Sequence, residues 1–324
     1  MDRRTTLGFA GALLALLVLP NLVSAGYGLQ LLNMALIFAI LTLGFFSLFG
    51  LTGIFAVSQV AFWGLGAYAH AILTTQYHWP FFGGLAGALA VTAVAGLFLG
   101  LPTLKLRNQY LTMATIGFAE AVRIAANNFD SLTGGPNGIN RIPPPSLGPL
   151  VLDTQIGKYY FSLVFLVLLV AGLWRLQHSR LGRAMQSVRD DELAAEAMGV
   201  HVTRIKVLAF VLSALAGGVA GSLYASLNAF ISPDAFTLGI TIQVTAMLLI
   251  GGRSSIAGAV AGAFLLTYLP EWLRSLKDWY MAIYGAGLLL ILIVLPEGLA
   301  GGARRLAERL KRPAAGPAAG GGAR

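Results

Sequence analysis

QHSRLGRAMQSVRDDELAAEAMGVHVTRIK, residues 177–206, is an island of dense charge set between two long apolar runs. Within it Leu181, Met185 and Val188 recur at i, i+4 and i+7, the spacing of one helical stripe. Asp190 or Asp191 then offers a cap for a second short helix, whose acidic first turn the helix dipole favours. Gly199 supplies a natural stop. The pattern predicts a helix–turn–helix with a mixed apolar and charged surface, neither long nor apolar enough to cross a bilayer. Two readings fit it: a solvated loop lying on the membrane surface, or a docking element for a soluble subunit.

The flanks decide the class. The chain is 57% hydrophobic and 11% charged, whereas about a quarter of residues in a soluble domain are charged. This is the composition of a polytopic membrane protein, and the 40 glycines agree, because small residues let membrane helices approach closely. With no cysteine there is neither a disulfide framework nor a thiolate metal site. A net charge of +9 on its own would suit a nucleic-acid partner, but the basic residues cluster beside apolar spans, and membrane topology accounts for them better.

Apolar runs near 7–25, 29–49, 53–74, 81–101, 110–128, 159–176, 207–231, 238–251, 256–269 and 280–295 predict an all-α polytopic membrane protein of about ten transmembrane helices. Lys and Arg mark the ends: Arg3 and Arg4, Lys105 and Arg107, the run from Arg175 to Lys206, and the run from Arg304 to Arg312. These all fall on one side, the cytoplasm, together with both termini. The loop 129–158, with only Arg141 and Lys158 as basic residues, falls outside; Arg274 and Lys277 lie outside against the trend. The first run also has features of a cleaved signal peptide, since Arg3 and Arg4 precede it and Ser24 and Ala25 are small. Residues 1–312 then form one membrane domain, and the Pro, Ala and Gly tail 313–324 reads as disordered.

Four blocks carry a resemblance: GLTGIFAVSQVAFWGLGAYAHAIL from Gly50, YLTMATIGFAEAVRIAANNFDSLTGGPNGI from Tyr110, RLGRAMQSVRDDELAAEAMGVHVTRIKVLAFVLSALAGGVAGSLYA from Arg180 and LLIGGRSSIAGAVAGA from Leu248. Together they resemble the permease subunits of branched-chain amino-acid ABC importers, in particular the LivM-type subunit, in the family's order from about residue 30 to 300. The resemblance implies a type II-like importer permease in a bacterial inner membrane. Its implied partners are a second, LivH-type permease, two ABC ATPase subunits and a periplasmic binding protein. ATP and Mg would sit on the partner subunits, and this chain would hold no cofactor.

The resemblance also implies roles. The island would dock the ATPases through Arg189, Asp190, Asp191, Glu192, Ala194, Ala195, Glu196 and Gly199, following the pattern E-A-A-x-x-x-G. Here Leu193 takes the Glu position of that pattern and Glu192 stands one residue earlier. Arg253 lies in a glycine-rich turn where the family usually carries a small or apolar residue; an Arg near a span end snorkels to the interface.

No G-x-x-x-x-G-K-[ST] occurs, since the one Gly-Lys pair, Gly157 and Lys158, lacks the preceding glycine pattern. No H-E-x-x-H or nucleophile elbow occurs either, and His70, His78, His178 and His201 are scattered. A membrane-bound enzyme is thereby set aside. The competing class is an ion-coupled secondary transporter, which should show inverted repeats and coupling carboxylates near the midplane; Glu120 is thin support for it. Within the importer family the substrates are branched-chain or other hydrophobic amino acids, urea, short amides or aromatic acids.

Intramembrane polar residues mark the path candidates. Glu120 and Arg123 stand at i, i+3 on a run that also carries Thr112, Thr115, Asn127 and Asn128. An ion inside a membrane needs a partner or a cavity, so the pair either braces the bundle or meets a zwitterion in passing. Gln59, inside a span, either bonds across helices or lines the path. Gly64, Gly66 and Ala67, and later Ala216, Gly217, Gly218 and Gly221, have the composition of close helix crossings. Asp130, Ser131, Thr133, Gly134, Gly135, Asn137 and Gly138 lie in the outer loop. Their glycines suit either a tight closing turn or an anion-binding nest of amides.

Overall fold

The computed structural model describes residues 11, 14–20, 26–103, 108–147 and 150–273, with 285, 298, 299 and 301 as isolated positions. The run predicted at 280–295, apart from the isolated position 285, the charged ends at Arg3, Arg4, Lys105, Arg107, Arg274, Lys277 and 304–312, and the tail 313–324 lie outside the described residues.

The described chain is helical. A helical segment at 14–20 (α1) precedes α2 (Tyr27–Phe45), which runs on as a π-helical turn, Phe46–Gly50. There follow α3 (Gln59–Thr75), α4 (Phe81–Thr103), α5 (Asn108–Asn128) and the single turn α6 (Asp130–Thr133). Next come β1 (Ile139–Asn140), β2 (Ser146–Leu147), β3 (Leu150–Val151) and α7 (Gln155–Gln177). The island gives α8 (Arg180–Asp190) and α9 (Glu192–Ala197). The chain continues through α10 (Val202–Asn228), β4 (Phe230–Ile231), α11 (Leu238–Gly251) and α12 (Ile256–Leu273).

Among the described residues, five helices are long and apolar enough to cross a membrane: Tyr27–Gly50, Phe81–Pro102, Gln155–Gln177, Val202–Asn228 and Pro233–Gly251, with Ile256–Trp272 a shorter apolar one. α3 and α5, both read from the sequence as spans, fall outside that group. The reason differs: α3 has 17 residues, while α5 is long enough but is diluted by Glu120, Arg123 and its amides.

α2 is the centre. It is apolar all round, so no face has reason to meet water, and every residue from 35 to 45 is buried. α7, α10, α11 and α12 pack around it, while α3, α4 and α10 form a tightly joined trio on another side. At one end of the bundle β1 pairs antiparallel with β4, Ile139 opposite Ile231, tying the segment after α5 to the end of α10. At the other end sit α8 and α9, packed on α7 and α10.

Three sequence boundaries need correction. The run 53–74 is not one span: residues 53–58 are non-helical and α3 begins at Gln59. α7 starts at Gln155 rather than 159, because Thr154 caps it by accepting from Gly157 N at 3.1 Å. This places Lys158 inside the helix, buried, with its Nζ donating to Leu227 O at 3.4 Å near the C-terminus of α10. α10 ends at Asn228, three residues before the predicted 231, because Ala229 takes a left-handed conformation that closes the helix.

Candidate functional site

The island is a rigid two-helix hairpin held by local caps. Ser179 caps α8, accepting from Gly182 N at 3.2 Å, and Asp191 caps α9, accepting from Ala194 N at 3.0 Å. Of the two aspartates predicted as the second cap it is therefore Asp191 that serves. Gly199, at φ +83°, ends α9, with Val200 N returning to Ala195 O at 3.0 Å. Met185 and Val188 are buried as the stripe predicts, but Leu181 is 49% exposed. Gly182 takes the inner position instead, since α8 crosses so closely over the end of α7 that a Cβ there would stand 2.7 Å from Gln177 O.

The outer surface of the hairpin carries Ala194 and Glu196, both exposed, and two large apolar side chains, Leu193 at 80% and Met198 at 85% exposure. Glu192 is held back by Lys206, whose Nζ donates to Glu192 Oε1 at 2.6 Å. Asp190 is paired with Arg189 at 3.1 Å. Arg189 itself points into the bundle, with Nη1 donating to Gly50 O at 3.0 Å. Beside it a cleft of about 400 Å³ is lined by Phe49, Gly53, Arg189, Asp190 and Arg253. Arg253 is exposed there, at the island's end of the bundle.

Gln59 is fully enclosed. Its Nε2 donates to Leu41 O at 3.1 Å and its Oε1 accepts from Ser213 Oγ, so it bolts α3 to both α2 and α10. Nearby the glycines permit a backbone-on-backbone crossing. A Cβ on Gly66 would stand 2.6 Å from Gly218 Cα, and one on Gly217 would stand 2.6 Å from Phe62 Cβ. Gly64 instead receives the ring of Phe236, 3.2 Å from where its Cβ would be. Phe236 lies among Trp63, Tyr68 and Tyr224, its ring centroid 4.8 Å from that of Trp63.

α5 is two-faced. Leu111, Thr115, Ala119 and Ala126 are buried, whereas Tyr110, Met113, Ile116 and Ile124 are exposed. Thr115 is spoken for: its Oγ1 accepts from Val57 N at 3.0 Å and donates to Thr112 O at 2.9 Å. Glu120 and Arg123 bond to each other through the guanidinium, each about a third exposed toward the open side. Asn127 is half-buried one turn on. Of the path candidates, then, the structure groups Glu120, Arg123 and Asn127 along one helix and keeps Gln59 and Thr115 in helix contacts.

The loop that follows α5 folds on itself. Thr133 Oγ1 donates to Ala126 O at 2.7 Å, Gly134 N to Asp130 O at 3.0 Å, and Gly135 N to Thr133 Oγ1 at 3.3 Å. Gly138 N donates to Gly135 O at 3.1 Å. The amides of a would-be anion nest are thus consumed within the loop. Gly134, Gly135 and Gly138 all have positive φ, and a Cβ on Gly138 would strike Ile231 across the β1–β4 pair. Ser131 and Asn137 are exposed on this compact turn.

Sequence reasoning missed three contributors. Phe55 O accepts from Thr112 Oγ1 at 3.0 Å. Asp234 lies in a 3₁₀ turn at Pro233–Ala235 and Phe236 directly follows it; the turn reads in sequence as ordinary loop yet packs against α5, and the Ser-Pro-Asp of 232–234 was the available turn signal. Among the described residues no group of three or more His, Cys, Asp or Glu comes together to hold a metal.

Residues 27–294 match the family described as branched-chain amino acid transport system, permease component. The chain is 36% identical to the high-affinity branched-chain amino acid transport system permease protein LivM of Salmonella typhimurium, over 89% of this chain and 74% of that protein. It is 35% identical to LivM of Escherichia coli over the same shares. It is 29% identical to the autoinducer 2 import system permease protein LsrC of Klebsiella pneumoniae, over 64% of this chain and 61% of that protein. No solved structure matches. With residues 27–294 matched by the family and 36% identity to LivM over 89% of its length, the chain belongs to the family of branched-chain amino acid transport permeases.

Proposed function

We propose that the chain is the membrane-spanning permease subunit of an ATP-driven importer for branched-chain amino acids in a bacterial inner membrane. Separate ATPase subunits dock on the hairpin of α8 and α9 at the cytoplasmic face. A second permease completes the path along the open face of α5, and a binding protein delivers substrate to the outer loop. ATP is hydrolysed on the ATPase subunits, and substrate moves by alternating access.

The observation that carries this reading is the outward presentation of Leu193 and Met198 on a capped, rigid hairpin. Apolar side chains this exposed on an otherwise charged element are what a protein interface buries at its centre. A hairpin that merely lay on a membrane surface would put its basic face beside them, whereas here Glu192, Asp191 and Glu196 share the exposed surface. The test is to purify the tagged chain from its own host in mild detergent and identify its partners by mass spectrometry. Recovery of two ABC ATPases and a second permease from the wild type, and loss of the ATPases alone from L193D/M198D, is the expected result. Leucine uptake that survives deletion of every co-purifying ATPase would refute the reading in favour of an ion-coupled carrier. Competition by autoinducer 2 against leucine separates the substrates named for the two sets of relatives.

A further inference from the structure

Segment 53–58 is backbone without helix, lying inside the bundle with Ile54, Ala56, Val57 and Ser58 buried. Irregular backbone at such depth survives only where protein supplies the hydrogen bonds that a helix would have made internally. Its suppliers are informative. On one side Arg189 of α8 reaches the turn just before the segment, with Nη1 donating to Gly50 O at 3.0 Å. The aliphatic stem of Arg189 also covers Gly53, where an added Cβ would stand 3.0 Å from Arg189 Cγ. Gly53 has φ +73°, a left-handed conformation that glycine adopts without steric cost. On the other side Val57 N donates to Thr115 Oγ1 and Phe55 O accepts from Thr112 Oγ1, both at 3.0 Å. The segment is therefore held by the hairpin at one end and by α5 at the other.

Two further features allow it to move. The preceding turn, Phe46–Gly50, is π-helical, a wider winding that recurs where helices serve function. The cleft of about 400 Å³ beside Gly53 and Arg189 opens at the surface, where Asp190 and Arg253 are exposed, so this side of the segment is not closed over by another helix. We propose that Arg189 and Thr115 are positioning residues for transport: they clamp segment 53–58 between the hairpin and α5, so that displacement of the hairpin displaces α5. This rests on the reading of the hairpin as the ATPase dock and of α5 as the path helix. Arg189 thereby acts inward, through Gly50 and Gly53, while Leu193 and Met198 face the partner.

The test uses the complete complex in proteoliposomes with leucine-loaded binding protein, comparing wild type, R189Q, R189K, T115V and the double variant R189Q/T115V. Three quantities are read: ATPase recovered with the chain, stimulation of ATP hydrolysis by the loaded binding protein, and leucine taken up per ATP. R189Q and T115V should recover ATPase as wild type does while leucine per ATP falls by about tenfold. The double variant should be no worse than the weaker single, because both cut the same link. R189K keeps a donor for Gly50 O and should regain part of the loss, an outcome that a folding defect would not produce. Leucine per ATP within about twofold of wild type in T115V, or losses that multiply in the double variant, would overturn the clamp. If the wild-type chain itself recovers no ATPase, the docking assignment beneath the clamp fails as well; normal assembly with normal coupling in the variants sinks the clamp alone.

Discussion

Gly221→Ala is the sharpest probe of the helix crossing on which the bundle depends. A Cβ at this position would stand 2.5 Å from Ala67 N and 2.9 Å from Gly66 C, and would meet Trp63 O as well. All three are backbone atoms of α3, so no side chain can swing away. Ordinary contact needs at least 3.4 Å, so α3 and α10 must part by about 1 Å. A gap of that size forfeits between about a quarter and a half of the dispersion energy across the crossing. Overpacking of this kind typically costs about 1–3 kcal/mol, and the rigid backbone on both sides puts Gly221 at the upper end, about 3 kcal/mol. Alanine returns at most about 1 kcal/mol of helix preference, leaving a net loss of about 2 kcal/mol.

The control is Gly172→Ala on α7, where nothing lies within 4 Å of the added Cβ. There only the helix preference acts, and the variant should equal or exceed wild-type stability. Thermal unfolding of the purified protein in one detergent compares them. At about 2–4 °C per kcal/mol for a large domain, G221A should melt roughly 4–8 °C below wild type, with G172A at or above it. G66A strikes the same crossing from the other helix, 2.6 Å from Gly218 Cα. Once one variant has separated the helices the other has room, so the pair should cost less than its sum. A G221A protein that melts with wild type would show that α3 and α10 do not cross backbone to backbone at this point.

Gln59→Leu should lower stability by about 1–3 kcal/mol, since it strands the Ser213 hydroxyl inside the bundle, and adding Ser213→Ala should recover most of the loss; unfolding midpoints of the two variants decide it. Gly138→Ala should prevent the β1–β4 pair from closing, because the Cβ would lie 2.9 Å from Ile231 C at φ +67°; protease cleavage between 129 and 147 should rise sharply. Glu120→Gln should leave protein level near wild type, as an ion pair this exposed contributes little to stability, while leucine uptake falls. Reduced protein with normal uptake per molecule would return the pair to a bracing role.

What could be read in the sequence was what local chemistry determines. The second hairpin helix is set by Asp191 and Gly199, each acting within four residues of its own position. The Gly66 and Gly217–Gly221 crossing is equally legible, because glycine at membrane depth has few other uses. The break at 53–58 was hidden, since Ile54, Phe55, Ala56 and Val57 are as apolar as any span and the hydroxyls that satisfy the break come from another helix. Arg189 was equally opaque. Charge in a charged island reads as outward, and only the position of Gly50 shows that it turns in. The inner placement of Gly182 over Leu181 follows from how tightly α8 crosses α7, which no periodicity encodes.

α5 ties these points together. At 21 residues it is long enough to span, yet it is not among the five helices that are also apolar enough, although α4 before it and α7 after it are. Its inner face is anchored to the break through Thr112 and Thr115, and its outer face exposes Met113 at 69%, Ile124 at 49% and the Glu120–Arg123 pair. A lone ion pair facing hydrocarbon is unfavourable, whereas facing a water-filled path or a second protein it is tolerated. The mixed face therefore argues against lipid as its neighbour, and it supports a second permease across a shared path. On that view the exposed apolar residues of α5 are the flanks of the subunit contact, and the ion pair between them is the part left to meet a zwitterion as it passes.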